Sequence, residues 1–320
     1  MARVDFVIIA GPTASGKSAL ALALAQQQQG IVINADSMQV YDGLPILTAA
    51  PDEGMRGVVP HYLFGHREAN QPYSVGQWLE EAGEVYAKYA KTQKRLAILV
   101  GGSGLYVKAA LNGIAPIPPI PSSVRATARD MLGEFGSSGL YEKLKECDPD
   151  LAAITKPSDR QRLVRGMEVW LATGKGLSVW QKSRREGALA GTGKIIYVRP
   201  PRDALYQRIN HRLDVMLQQG VMDEIRSFKQ NYMSHIADDV AGGLPILKAV
   251  GLKPLMAAVT GEKPLDLAMD EAKRDSRHYA KRQFTWFDNQ LELDAGDRTL
   301  LRVEEVLDEA GASRLASGII

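Results

Sequence analysis

Eight consecutive residues near the N-terminus, Gly11-Pro12-Thr13-Ala14-Ser15-Gly16-Lys17-Ser18, are of the types that cradle a phosphate chain. Glycines let backbone N–H groups turn inward onto phosphate oxygens, and a following helix N-terminus adds partial positive charge. Lys17 supplies a mobile full charge, and Ser18 a hydroxyl able to hold Mg²⁺. The alternative is a Gly-rich turn of purely structural use. A P-loop is read first as an ATP-binding element, but it does not name its ligand. ATPases ordinarily place an Asp at the end of a nearby apolar strand to hold Mg²⁺. Here the run 96–100 ends in Gly101-Gly102-Ser103, and the acidic residue follows the run 31–35 instead, at Asp36. That placement suits chemistry done beside the phosphates rather than hydrolysis between them. Taken alone, Asp36 reads equally well as a general base, a helix cap or an indirect Mg²⁺ contact.

The P-loop needs a strand before it and a helix after it, and the flanking sequence supplies both. Residues 4–10 are a continuous apolar run with β-branched members, the pattern of a buried parallel strand. Residues 19–28 are rich in Ala and Leu and predict a helix stopped at Gly30. Residues 31–35, 62–64 and 96–100 read as further strands. Residues 74–93 read as a helix capped by Ser74, and 105–111 as another helix. This alternation predicts an α/β fold: a P-loop NTPase-like parallel sheet flanked by helices. The pattern changes at Pro116, Pro118, Pro119 and Pro121, a stiff extended linker. Residues 122–180 are helical in pattern throughout, 187–193 are loose, and KIIYVR at 194–199 returns to strand. The expectation is a catalytic core of residues 1–115 and 194–320 interrupted by an all-helical insertion domain, 116–193. Residues 201–295 read as helices with a break at Gly242-Gly243, and 300–309 as a last helix.

The 320 residues carry a formal net charge of +2, so any nucleic-acid contact must come from local rather than overall charge. The single cysteine, Cys147, excludes an intramolecular disulfide and a Cys-rich zinc site. The five histidines, His61, His66, His211, His235 and His278, lack ligand spacing. No leader and no membrane-length apolar run is visible. A cytoplasmic monomer is the expectation.

Five blocks in order resemble the tRNA dimethylallyltransferases (isopentenyltransferases) of the bacterial type: GPTASGKS at 11–18, DSMQVY at 36–41, GGSGLYVKAALNG at 101–113, DRQRLVRGMEV at 159–169 and KRQFTWF at 281–287. The resemblance implies transfer of the dimethylallyl group of dimethylallyl diphosphate to N6 of adenosine 37 in a tRNA anticodon loop, with Mg²⁺ as cofactor. It makes the P-loop a holder of an isoprenoid diphosphate. It assigns Asp36 as the base and Arg212 as a second grip on the diphosphate, and it has Thr13 touch the substrate. It places tRNA contacts at Asp36, Ser37, Met38 and Gln39, at Ser103 and Arg125, at Gln161, Arg162, Leu163, Val164 and Arg165, and at Lys248 and Lys253. The adenosine is expected to flip out of its stack to reach the phosphates.

From the residues alone, Arg212 reads as a solvated helix charge and Thr13 as a loop brace. The basic stretch Lys273, Arg274, Arg277, Lys281 and Arg282 is interleaved with Tyr279, Phe284, Trp286 and Phe287, whose spacing favours core packing. Two departures from the family pattern stand out. Leu47-Thr48-Ala49-Ala50-Pro51 replaces the usual Gly-Thr-Ala-Lys-Pro, and Lys248 and Lys253 stand where arginines are usual, with Leu252 for Tyr. Competing readings are an isopentenyltransferase of free AMP or ATP, a P-loop small-molecule kinase and a nucleotide-binding RNA adaptor.

Overall fold

The structure, a computed structural model, describes residues 4–233, 245–291 and 298–319. The expected Gly242-Gly243 break and His235 lie outside the described residues. The chain divides into two compact units, residues 1–111 with 189–320 and residues 112–188.

The first unit is a six-stranded parallel sheet in the order β3-β2-β4-β1-β5-β6. Its strands are β1 Phe6–Ala10, β2 Ile31–Asn34, β3 His61–Tyr62, β4 Ala97–Gly101, β5 Gly193–Val198 and β6 Arg298–Val303. Both faces are covered, which is why the strands read as unbroken apolar runs. On one face Val7, Ile9, Ile98 and Ile196 pack against Leu20 and Leu24 of α1, Lys17–Gln27, and against the C-terminal Leu307 and Ala312. On the other, Phe6 meets Tyr86 edge to face at 5.9 Å. Tyr86 ends α2, Val75–Tyr86, which starts in a capping box between Ser74 and Gln77 and runs on as a π-helical turn, Ala87–Thr92. The remaining helices that matter below are α3 Gly104–Asn112, α4 Arg202–Gln218, α5 Leu252–Val259, α6 Leu265–Gln290 and α7 Glu309–Ala316.

β1 and β4 lie side by side, and their connections leave in opposite directions, to β2 and to β5. Such a switch point opens a crevice at the carboxyl ends of the strands. The P-loop follows β1 and the Gly-rich turn follows β4, so both chemical motifs emerge there.

One expectation fails. Residues 300–309 are not a helix: residues 298–303 form β6, in parallel register with β5 from Gly193↔Arg298 to Val198↔Val303. A short Leu-rich run is ambiguous in period, and pairing with an open sheet edge decides it. The last helix is α7, capped by Asp308, which accepts from Gly311 N.

The second unit contains helices Ser122–Cys147, broken at Gly136, Pro149–Ala153, Arg160–Thr173 and Leu177–Lys182. They close on their own core of Leu140, Leu144, Leu151, Leu163 and Met167. The boundaries differ from the expected 116–193. Ile114 and Glu186 pair antiparallel at the neck of the unit, and Leu189 N already donates to Ala110 O (2.9 Å) in the first unit.

Candidate active site

The P-loop is shaped by backbone that only its sequence permits. Gly11 and Gly16 have φ of 147° and 96°, and a side chain at either would strike backbone: Val198 O at 2.4 Å or Leu307 O at 2.3 Å. Ala14 is also left-handed, with φ 64°. Left-handed residues on either side of Ser15 curl the chain into a concavity that suits an anion. Ser15 is fully buried, and its Oγ has no partner. Leu307 N donates to Ser15 O at 3.4 Å, so the C-terminal segment braces the loop from behind.

Two cations converge on this loop with little to neutralise them. Lys17 Nζ donates to Pro12 O at 2.5 Å. Burial drives its pKa down to about 7; the Asp36 charge opposes this shift and the Arg212 charge adds to it. Arg212 of α4 donates from Nη2 to Thr13 Oγ1 at 2.6 Å, and its Nε is buried without a partner. Burial and the neighbouring Arg208 lower its pKa to about 10, so it remains protonated at neutral pH. Arg208 itself donates to Leu307 O at 2.7 Å. A buried guanidinium with an unused donor is costly unless an anion completes it.

Asp36 is set by a compact scaffold. Asn34 Oδ1 accepts from Asp36 N at 2.8 Å, while Asn34 Nδ2 donates to Asp36 O and Leu63 O, each at 2.9 Å. Trp78 Nε1 of α2 donates to Asn34 O at 2.7 Å. Asp36 Oδ1 accepts from Met38 N at 2.9 Å. Ser103 Oγ accepts from Ser37 N at 2.9 Å and lies 3.1 Å from Ser37 Oγ, joining the turn after β2 to that after β4. The glycines of the second turn are sites of close approach. A Cβ at Gly101 would lie 2.0 Å from Ala35 O, and one at Gly104 would enter the Trp286 ring.

Thr13, Asp36 and Arg212 open into one cavity of about 220 Å³. Its other walls are the apolar Met38, Leu47, Leu213, Met216 and Val250, with Thr48, Lys248, Ser276 and Tyr279. Thr48 and Ala49 are held in place by Gln39 Nε2, which donates to their carbonyls at 2.8 and 3.0 Å, and Glu224 receives Leu47 N at 2.9 Å. The Tyr279 hydroxyl is pushed well above its usual pKa by burial and by the Asp36 charge, so it stays a donor. Lys248 also lines an adjoining hollow with Lys253, His278 and Arg282.

The cavity thus brings together Thr13, Asp36, Ser37, Met38, Arg212 and Lys248, and interactions with Asp36 and Arg212 tie Lys17 to it. Gln39 and Ser103 act on its walls through backbone. Arg125, Gln161, Arg162 and Arg165 lie in the second unit, where Arg125, Gln161 and Arg162 are exposed and the half-buried Arg165 pairs with Glu168 at 3.0 Å. Leu163 is a correction: it is fully buried in that unit's own core, with Val164 packed against the core, so its side chain is not available to a partner. Arg212 is also not the solvated helix charge that its surroundings in sequence suggest. Sequence reading missed Asn34, Ser276, Tyr279 as a cavity residue, and Gln283. The last three follow one stripe of α6, and the polar Ser276 and Gln283 are buried among Ala272, Ala280 and Phe284. Buried polar residues on an apolar stripe were the available signal. Phe284 and Phe287 are core, as their spacing suggests.

For a metal, Ser18 is exposed on the first turn of α1, and among the described residues no group of three or more His, Cys, Asp or Glu could hold an ion. Few protein donors beside a phosphate cradle is the donor set that suits Mg²⁺ carried by substrate phosphates. Among the described residues no helix is long and apolar enough to cross a membrane.

Comparison with known proteins agrees with this arrangement. A family model described as IPP transferase matches residues 39–290, and one described as isopentenyl transferase matches residues 4–72. The tRNA dimethylallyltransferase of Bartonella tribocorum is 44% identical over 287 residues, spanning 89% of this chain and 95% of that protein. That of Maricaulis maris is 45% identical over 286 residues, 89% of this chain and 90% of that one. Among solved structures, the tRNA isopentenylpyrophosphate transferase of Bacillus halodurans is 31% identical with a TM-score of 0.61, covering 99% of this chain and 96% of its own. A eukaryotic dimethylallyltransferase acting on tRNA is 27% identical with a TM-score of 0.79, over 93% of this chain and 74% of its own. With a P-loop, an acidic turn and a buried arginine around one cavity, and matches of this extent, the chain belongs to the IPP transferase family of transferases.

Proposed function

We propose that this chain transfers the dimethylallyl group of dimethylallyl diphosphate to N6 of adenosine 37 in the anticodon loop of tRNA, releasing diphosphate. The observation that carries the reading is one cavity with a carboxylate, Asp36, facing a buried, incompletely paired cation, Arg212, beside a P-loop. The relatives' names supply the substrate classes.

The adenine amine is a poor nucleophile because its lone pair is delocalised into the ring, and it must lose a proton as it attacks. Asp36 accepts that proton. The N6–C1 bond forms as the allylic C1–O bond breaks, and the electron pair leaves on the diphosphate oxygen. Arg212, Lys17 and the P-loop amides hold the charge that grows there. The diphosphate gives the unused donors of Arg212 an acceptor and keeps Lys17 protonated. Met38, Leu47, Leu213, Met216 and Val250 surround the hydrocarbon and exclude water from an allylic cation-like centre. Ser18 and the diphosphate oxygens would hold Mg²⁺, which supplies further charge neutralisation on the leaving group. Ser37, Met38, Gln39, Ser103, Lys248 and Lys253 of the first unit, and Arg125, Gln161, Arg162 and Arg165 of the second, serve the tRNA, some directly and some by bracing. The chain works as a cytoplasmic monomer in this reading.

A P-loop kinase is disfavoured by the end of β4. Where an ATPase carries its Asp, Gly101 has no room for any side chain. The test is incubation with labelled dimethylallyl diphosphate, Mg²⁺ and unmodified tRNA, and separately with AMP and ATP. Label in tRNA that is lost in Asp36→Ala supports the reading. Label in AMP alone, or ATP turnover without the isoprenoid, overturns it.

A further inference from the structure

Gln283 sits on α6 with only 5% of its surface exposed, beside the buried Ala280, Phe284 and Phe287 of the same helix. Its amide oxygen accepts from Thr13 N at 2.8 Å, and its amide nitrogen donates to Gly102 O at 3.0 Å. Thr13 in turn receives Arg212 through Oγ1 at 2.6 Å. On the opposite side, a Cβ built on Gly102 would lie 2.2 Å from Gln283 Nε2 and 3.5 Å from Asp36 Oδ2. The amide therefore stands between the P-loop with its arginine and the turn that flanks the carboxylate.

The chemistry of the two bonds is complementary. Thr13 N can only donate and Gly102 O can only accept. A primary amide serves both from one rigid plane, while a carboxylate lacks the donor and an apolar side chain lacks both. Hydrogen bonding therefore calls for a primary amide here, and Gln283 uses it to reach Gly102 and Thr13, which lie 181 and 270 positions before it in sequence.

We propose that Gln283 is a positioning residue for the transfer, fixing the span between the diphosphate grip (Thr13 and Arg212) and the Asp36 turn. It acts through these groups and touches neither the donor nor the accepting amine. The inference rests on the reading of Asp36 as base and Arg212 as diphosphate ligand. Holding base and leaving group in register matters because a displacement of about 1 Å costs on the order of a hundredfold in rate.

The test uses two variants of the full chain, with steady-state transfer measured against both substrates. Gln283→Glu keeps the acceptor for Thr13 N but turns a carboxylate oxygen onto Gly102 O. It is expected to lower kcat roughly tenfold or more, with KM for dimethylallyl diphosphate within about threefold of the parent. Gln283→Met loses both bonds, so kcat falls and that KM rises roughly fivefold or more, while KM for tRNA stays put in both variants. If Gln283→Met does not fold, Gln283→Glu decides alone. A kcat within about twofold of the parent in Gln283→Glu, or a KM for the diphosphate that rises in it as in Gln283→Met, overturns the proposal. Failure of the unaltered chain to transfer at all would instead overturn the functional reading beneath it.

Discussion

Arginines and lysines do opposite work at the cavity of the first unit and on the surface of the second. In the first, Arg212 lines the cavity opposite Asp36 and keeps a buried Nε without a partner, while Lys17 is buried beside it and feels both charges. In the second, Arg162 is exposed and sits 3.9 Å from Asp159, Lys182 reaches Asp150 at 2.7 Å and Lys145 reaches Glu142 at 2.8 Å. Exposed pairs of this kind contribute about 0–1 kcal/mol and rearrange freely. The cavity cations are preorganised at the expense of stability, so an arriving anion meets charges already desolvated and aimed. The surface cations hold a local partner that a polyanion can displace. In the proposed function, strength is concentrated where the bond breaks and spread thinly where the tRNA is held and let go.

The comparison can be broken most sharply at the carboxylate. Asp36→Ala is expected to lower kcat by ~10²–10⁴, the range for loss of a general base, with diphosphate binding retained in calorimetry. Comparable kcat in the variant would remove Asp36 from the chemistry. Next, Arg212→Gln should cost ~10²–10³ in kcat/KM for dimethylallyl diphosphate, as for loss of a preorganised charge donor. An effect confined to KM for tRNA would show that this arginine belongs with the surface cations after all.

A third effect depends on pH. Lys17 is lowered to about 7 in the free site, and diphosphate binding raises its pKa, so binding takes up a proton. Affinity for diphosphate is then fully present below that pKa and weakens as pH rises through it, by roughly tenfold per unit above ~7. Lys17→Met should flatten this slope, and calorimetry in buffers of different ionisation enthalpy reads the proton directly. The smallest effect belongs to the second unit. Arg162→Ala or Arg165→Ala is expected to raise KM for tRNA a few-fold. Each should also reduce the salt dependence of binding by about 0.7–0.9 in log–log slope for every phosphate left without its cation. A change in kcat with saturating tRNA would blur the distinction between the units.

How much of this was legible in sequence follows chain separation. The P-loop, Asp36 after β2 and the Gly-rich turn after β4 are local patterns tied to strand ends, and the parallel sheet follows from their alternation. The insertion was visible as a change of period, although its neck is set by the Ile114–Glu186 pair rather than by the prolines. What sequence could not supply was the set of interactions made across the fold. Arg212 looked solvated because its helix is charged, and only packing against the P-loop makes it a wall of the cavity. Asn34 looked like a strand end, yet its side chain ties separate backbone segments together. Residues 300–309 read as a helix, and part of them belongs instead to β6, because an edge strand has no period of its own until its neighbour is known.

The Ile114–Glu186 pairing has one more consequence. The chain enters and leaves the helical unit at neighbouring points, and the unit between them has its own closed core. Such a segment is a cassette: evolution can lengthen, exchange or delete it without reordering any strand of the sheet. A chain built this way can vary the helical unit at one neck while leaving the cavity at the strand ends alone.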